Sequence, residues 1–221
     1  MDSQSNAPSI KQAFSLAYQT MIENIAVVLI NTLIYIIAFF ISCITIIGFI
    51  LVPAIIGGYF ESLLRLLRGE TVEIGKFFNA GFNNFGTLLG SSTIAIVSVF
   101  FGFLLFFIPG IYLCIVWSIL FLVIVDQNLG IGDSLKRSRE LVHLRFWDFT
   151  ALIILSNIIL GISGFIPFAV LFGLPFSILL IASYYNQLLE ALQYDVGQEA
   201  DESSEDNPAD DSAVKDSDFT L

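Results

Sequence analysis

Apolar residues in this chain arrive in blocks of 15 to 25, separated by short polar stretches. A helix that packs against a soluble core shows an apolar stripe; unbroken blocks of this length are the pattern of segments surrounded by lipid. The pattern predicts six spans, at about 25–51, 53–67, 87–108, 110–126, 148–171 and 175–192. Each odd-numbered span is preceded by an amphipathic segment, at 9–23, 70–86 and 132–146. In the first of these, Ile10, Phe14, Ala17, Met21 and Ile25 share one helical face, and Ser9 with Gln12 fits a capping box. It reads as a helix lying on a membrane surface, the alternative being a packing helix. The second is rich in phenylalanine, at Phe77, Phe78, Phe82 and Phe85. In the third, Asp133 is the expected N-cap, Ile131, Leu135, Val142 and Phe146 form the apolar face, and Lys136, Arg139, Glu140 and His143 the polar one.

Between the paired spans the chain offers proline rather than charge. Pro53, Pro109 (followed by Gly110) and Pro175 recur about every sixty residues and are expected to mark tight turns. The whole therefore predicts an all-α integral membrane protein, with six transmembrane helices arranged as three hairpins, each preceded by an amphipathic interfacial helix. Gly86 and Gly90 make a GxxxG pair at the mouth of the third span, a spacing that permits close helix approach.

Composition supports this picture. Of 221 residues, 56% are hydrophobic and only 13% charged, where a soluble domain keeps roughly a quarter of its residues charged. No soluble core could hide six such blocks behind so few charges. The net charge of −11 is unevenly spread, because ten acidic residues and one lysine lie from Asp195 onward. Three regions follow: a polar N-terminal tail over 1–8 without the basic residues of a signal peptide, a membrane domain over 9–194, and an acidic tail over 195–221 with the composition of a disordered segment. The sign of that tail excludes nucleic acid as its partner. It is expected to be a solubilising extension or a docking site for a basic cytoplasmic protein. Basic residues stand before the first span, after the second and between the fourth and fifth, and none stands near Pro53, Pro109 or the stretch from Pro167 to Pro175. The positive-inside rule then puts both termini on the cytoplasmic side and the turns outside.

Candidate chemistry is sparse. Cys43 and Cys114 fall inside apolar blocks and His143 is the only histidine, so an ordinary zinc site is not expected. No nucleophile–histidine pair, phosphate loop or metal-binding carboxylate set stands out, and the expectation is a protein without cofactor or enzymatic activity. Glu61 precedes Arg65 by four residues, a favourable spacing for an ion pair. Asn31, Asn157 and Asn186 are expected to join helices by hydrogen bonds. Two readings follow. In one, the protein organises membrane or partners, with Lys136, Arg137, Arg139 and Arg145 contacting anionic lipid headgroups. In the other, a small transporter or channel uses Glu61 and the three asparagines to line a path. Convergence of those four groups on one cavity would separate the two.

Pro109-Gly110, Asp126, the Leu135–Ser138–Arg139 helix, Phe146-Trp147, Pro175 and Tyr184-Tyr185 together give a resemblance covering most of residues 60–190. The chain resembles the membrane domain attached to some glycerophosphoryl diester phosphodiesterases, and related six-span bacterial membrane proteins of unknown function. The resemblance implies a six-span bundle in a prokaryotic membrane. It carries no catalytic activity, because the catalytic barrel of those enzymes is a separate domain for which 221 residues leave no room.

Overall fold

The structure is a computed structural model that describes residues 8–44, 46–72, 79–166 and 168–205. Those residues form ten helices and no strand: α1 (Ile10–Glu23), α2 (Ile25–Ile44), α3 (Ile46–Leu67), α4 (Asn79–Asn83), α5 (Phe85–Leu105), α6 (Phe107–Val116), α7 (Leu120–Gln127), α8 (Ile131–Leu144), α9 (Phe146–Phe165) and α10 (Val170–Glu205). Six stretches are long and apolar enough to cross a membrane, with α6 and α7 together making the fourth. The protein is an all-α integral membrane protein. The dominant neighbours are α2 with α3, α5 with α6 and α9 with α10, which are the three hairpins expected from the repeat.

Burial shows how the hairpins are arranged. In the first helix of each, 22%, 28% and 22% of the apolar window is buried; in the second, 50%, 44% and 50%. The second helices thus form an inner trio and the first helices an outer layer. That outer layer exposes Phe40, Ile96, Phe100, Ile158 and Ile162, an apolar surface that water would penalise and lipid does not. The inner core gathers Tyr59, Leu63, Val116, Leu122, Val123, Tyr184 and Tyr185.

The prolines are not where the turns are. Pro53 lies inside α3, Pro109 in the first turn of α6 and Pro175 inside α10, each past the end of the preceding helix at Ile44, Leu105 or Phe165. In the first turn of a helix a missing N–H costs nothing, since that donor has no intrahelical acceptor. Deeper in, as at Pro53 and Pro175, a membrane helix tolerates proline through its neighbours and local backbone adjustment. Pro167 lies outside the described residues.

The fourth span is broken. Trp117, Ser118 and Ile119 form a tight turn in which Ser118 N–H reaches Ile115 O at 3.3 Å and Leu120 N–H reaches Trp117 O at 3.1 Å, both three residues back. Leu120 N–H would otherwise serve Val116 O. That carbonyl is taken by Ser138 Oγ of α8 at 2.7 Å, in a buried bond.

The amphipathic helices pack more deeply than a surface-lying reading implies. In α1 the buried stripe is Ala13, Ala17 and Thr20, set against α10, rather than the face led by Ile10 and Phe14. Small side chains let the two helices approach. Ser9 caps no backbone with its side chain; its own N–H donates to Gln187 Oε1 of α10 at 2.6 Å, so the capping box with Gln12 does not form. The N-cap of α8 is Gly130, and Asp133 sits in the first turn, where a carboxylate favours the helix dipole. The buried face of α8 is Ser134, Ser138, Leu141 and Val142, while Ile131 is 37% exposed. Gly90 does not act with Gly86 as a helix–helix pair: a Cβ at Gly90 would lie 2.5 Å from Ile131 Cδ1, whereas Gly86 faces open space. Of the second amphipathic segment, Phe77 and Phe78 lie outside the described residues. Its end, α4, presses on α3 so closely that a Cβ at Gly81 would fall 1.9 Å from Ala54 O. Finally, α10 continues past the apolar span to Glu205; residues 206–221 of the acidic tail lie outside the described part.

Candidate functional site

The three inner helices meet on the side of the protein that carries its basic residues. α3 ends in a Schellman motif: Gly69, at φ 77°, turns the chain, Glu70 N–H returns to Arg65 O at 3.0 Å, and Gly69 N–H to Leu66 O at 3.1 Å. This fixes Arg68 at the helix end. Its side chain leans back toward the N-terminal direction of the helix, as helical side chains do, and meets Asp126 of α7. The guanidinium engages both carboxylate oxygens, with Nη2 3.0 Å from Oδ2, and Nη2 also donates to Asn186 Oδ1 of α10 at 3.0 Å. Tyr185 Oη donates to Asp126 Oδ2 at 2.9 Å and accepts from Gln127 Nε2 at 3.0 Å. One network thus ties the inner helix of every hairpin to the other two. The hydrogen bond to Asp126 raises the Arg68 pKa above its ordinary value, against the opposing effect of burial. At any working pH the guanidinium is therefore charged.

Beside the junction a polar cavity of about 680 Å³ opens. Glu61, Arg65, Arg68 and Asp126 line one wall, Asn83 and Asn84 another. Across its mouth Asn84 Nδ2 donates to Asn128 Oδ1 at 2.8 Å. Asn128 caps α7 in the left-handed region, at φ 50°, which asparagine tolerates better than most residues. The Glu61–Arg65 pair forms as its spacing predicts, Arg65 Nε to Glu61 Oε1 at 2.7 Å. The second carboxylate oxygen of Glu61 is buried and has no hydrogen-bond partner among the described residues.

The asparagines separate. Asn186 joins the Arg68 network, an interhelical bond. Asn157 is exposed and turns back on its own helix, Nδ2 to Ile153 O at 2.8 Å, so it joins nothing to α9. Asn31 is buried in α2, away from the cavity lining, with Oδ1 unpaired among the described residues. Glu61, Asn31, Asn157 and Asn186 therefore do not converge on one path.

On α8 the basic residues stay at the surface. Lys136 is 77% exposed and lies 3.8 Å from Glu140; Arg137 is 32% exposed and 3.7 Å from the same carboxylate. Arg139 is exposed, and Arg145 pairs with Asp148 at 3.4 Å. Such exposed pairs hold a side chain weakly. Trp147, 81% exposed, follows directly, where an interfacial anchor belongs. At the far end of α8, His143 Nε2 and Tyr112 Oη of α6 lie 2.6 Å apart.

Sequence reading missed the Arg68–Asp126–Tyr185 junction. The signal available was composition: Arg68 and Asp126 each end an inner span, and opposite charges at two such ends can meet. Among the described residues no group of three or more His, Cys, Asp or Glu side chains is placed to hold a metal ion. No family model matches the chain, and comparison with curated proteins and with solved structures gives no match.

Proposed function

We propose that this protein acts without catalysis, organising the membrane by holding anionic lipid headgroups on α8. The observation that carries the reading is the two-sided fixing of that helix. Its Ser138–Leu141–Val142 face is buried and bonded into the fourth span, while Lys136 and Arg139 remain exposed, as does Trp147 just after the helix. Cations held on a rigid element lose little freedom when a phosphate binds, and each basic side chain near an anionic leaflet contributes about 1 kcal/mol. In this reading both termini and α8 face the cytoplasm of a prokaryotic cell, following the basic residues, and the acidic tail stands ready for a basic protein partner. The resemblance to membrane domains of glycerophosphoryl diester phosphodiesterases supplies a lipid context and no residue of the argument. The transporter reading loses its support in the separation of Glu61, Asn31, Asn157 and Asn186.

The test replaces Lys136, Arg137 and Arg139 together by Gln and measures phosphatidylglycerol and cardiolipin retained through purification. Retention should fall about tenfold or more, and the remainder should lose its salt dependence. Unchanged retention in a folded variant refutes the proposal.

A further inference from the structure

Two residues far apart along the fourth span are both held at one end of the third hairpin. Asp126, near its C-terminal end, bonds Arg68 at the end of α3 and Tyr185 of α10. Tyr112, near its N-terminal end, meets His143 at the end of α8, and its ring lies 5.9 Å from that of Phe146, the first residue of α9. Phe149, one turn further along α9, in turn lies against Tyr184, the rings 6.0 Å apart. Tyr112 and Asp126 are thus both tied to the same end of the third hairpin. Yet 14 residues separate them, about 21 Å along a helix that rises 1.5 Å per residue. A helix threaded upright beside α9 and α10 would carry Tyr112 two thirds of the way across a bilayer core of about 30 Å.

α8 reports the same geometry independently. It runs antiparallel beside the broken span, with Ser134 Oγ 3.3 Å from Leu129 O, Ser138 Oγ 2.7 Å from Val116 O, and His143 on Tyr112. Its outer face carries Lys136, Arg139 and Glu140, all exposed. Those charges belong in water or headgroups, so the stretch of α6 bonded to the opposite face of α8 lies near the same depth. α5 packs along α6, Gly102 against Gly110, and follows it.

We propose that the second hairpin, α5 with α6 and α7, enters the leaflet on the basic side at a shallow angle and forms with α8 a single wedge in it. The partner of this wedge is the lipid of one leaflet, which it spreads, thinning the bilayer beside α3 and α10. The inference holds whether or not α8 selects anionic lipid.

The native cysteines supply the test. With Cys43→Ser, Cys114 of α6 is the only thiol, and it is exposed. In a background lacking both cysteines, Gly132→Cys marks the basic side, Phe165→Cys the opposite side and Ile158→Cys the middle of a span. Each chain is reacted with a membrane-impermeant maleimide in sealed vesicles of both orientations. The shallow hairpin predicts that Cys114 reacts from the side that labels Gly132→Cys, at least tenfold faster than from the other. Faster reaction from the Phe165→Cys side, or protection from both sides as at Ile158→Cys, overturns it. Vesicles of neutral lipid should give the same pattern, which separates this result from any failure of lipid selection.

Discussion

Removing the carboxylate of Asp126 should release all three inner helices at once. Asp126→Ala leaves Arg68 with Asn186 alone and deprives the buried Tyr185 hydroxyl of its acceptor. Breaking a fully buried ion pair costs about 3–5 kcal/mol. The Asp126 side chain is 12% exposed but that of Arg68 is 35% exposed, so water recovers much of the guanidinium's loss and that part falls to about 1 kcal/mol. The stranded tyrosine donor adds about 1–2 kcal/mol. The expected cost is about 2–3 kcal/mol. The rim pair Arg145–Asp148, with both partners more than 40% exposed, provides the comparison: Asp148→Ala should cost under about 0.5 kcal/mol.

The assay is reversible unfolding in mixed micelles with increasing dodecyl sulfate, followed by circular dichroism and by Trp117 and Trp147 fluorescence. A double-mutant cycle with Arg68→Met isolates the pair. Because Arg68 and Asp126 share one network, the double variant should cost at least about 1 kcal/mol less than the two single costs added together. Additive single costs, or an Asp126→Ala chain within about 0.5 kcal/mol of the parent, would refute the junction as the element joining the hairpins.

Two further substitutions probe the joints around it. Ser138→Ala strands Val116 O in the break of the fourth span; a cost of about 1–3 kcal/mol, with a shift in Trp117 emission, is the expected result in the same titration, and an unshifted midpoint counts against the bond. Gly81→Ala puts a methyl carbon 1.9 Å from the Ala54 carbonyl oxygen, a backbone atom that cannot swing aside. α4 must then leave α3, the cavity loses a wall, and the midpoint should fall by at least about 2 kcal/mol; a Gly81→Ala chain as stable as the parent would show that α4 does not dock there.

The six apolar blocks and their grouping into hairpins were legible because both depend on local composition, which lipid imposes on every residue it touches. The turns were misplaced for a physical reason. Proline reads as a turn where water competes for backbone groups, but in a membrane helix Pro53, Pro109 and Pro175 keep their places inside α3, α6 and α10. The depth of α1 and α8 was hidden because hydrophobicity ranks Ile10 or Ile131 above Ala13 or Ser138, while close approach of helices favours the small residues. The charged junction needed information that no window of sequence contains. Arg68 and Asp126 stand 58 residues apart, and each alone looks like a charge resting at a water boundary. Only the bending of the fourth span at Trp117–Ile119, itself stabilised by a serine on the next helix, separates the roles of its two halves. α7 packs on α3 and carries Asp126 to Arg68, whereas α6 packs chiefly on α5 and is bonded to α8 through Val116 O. The break that defeats a reading of one continuous span is therefore the feature that lets one hairpin serve both the junction and the lipid-facing wedge.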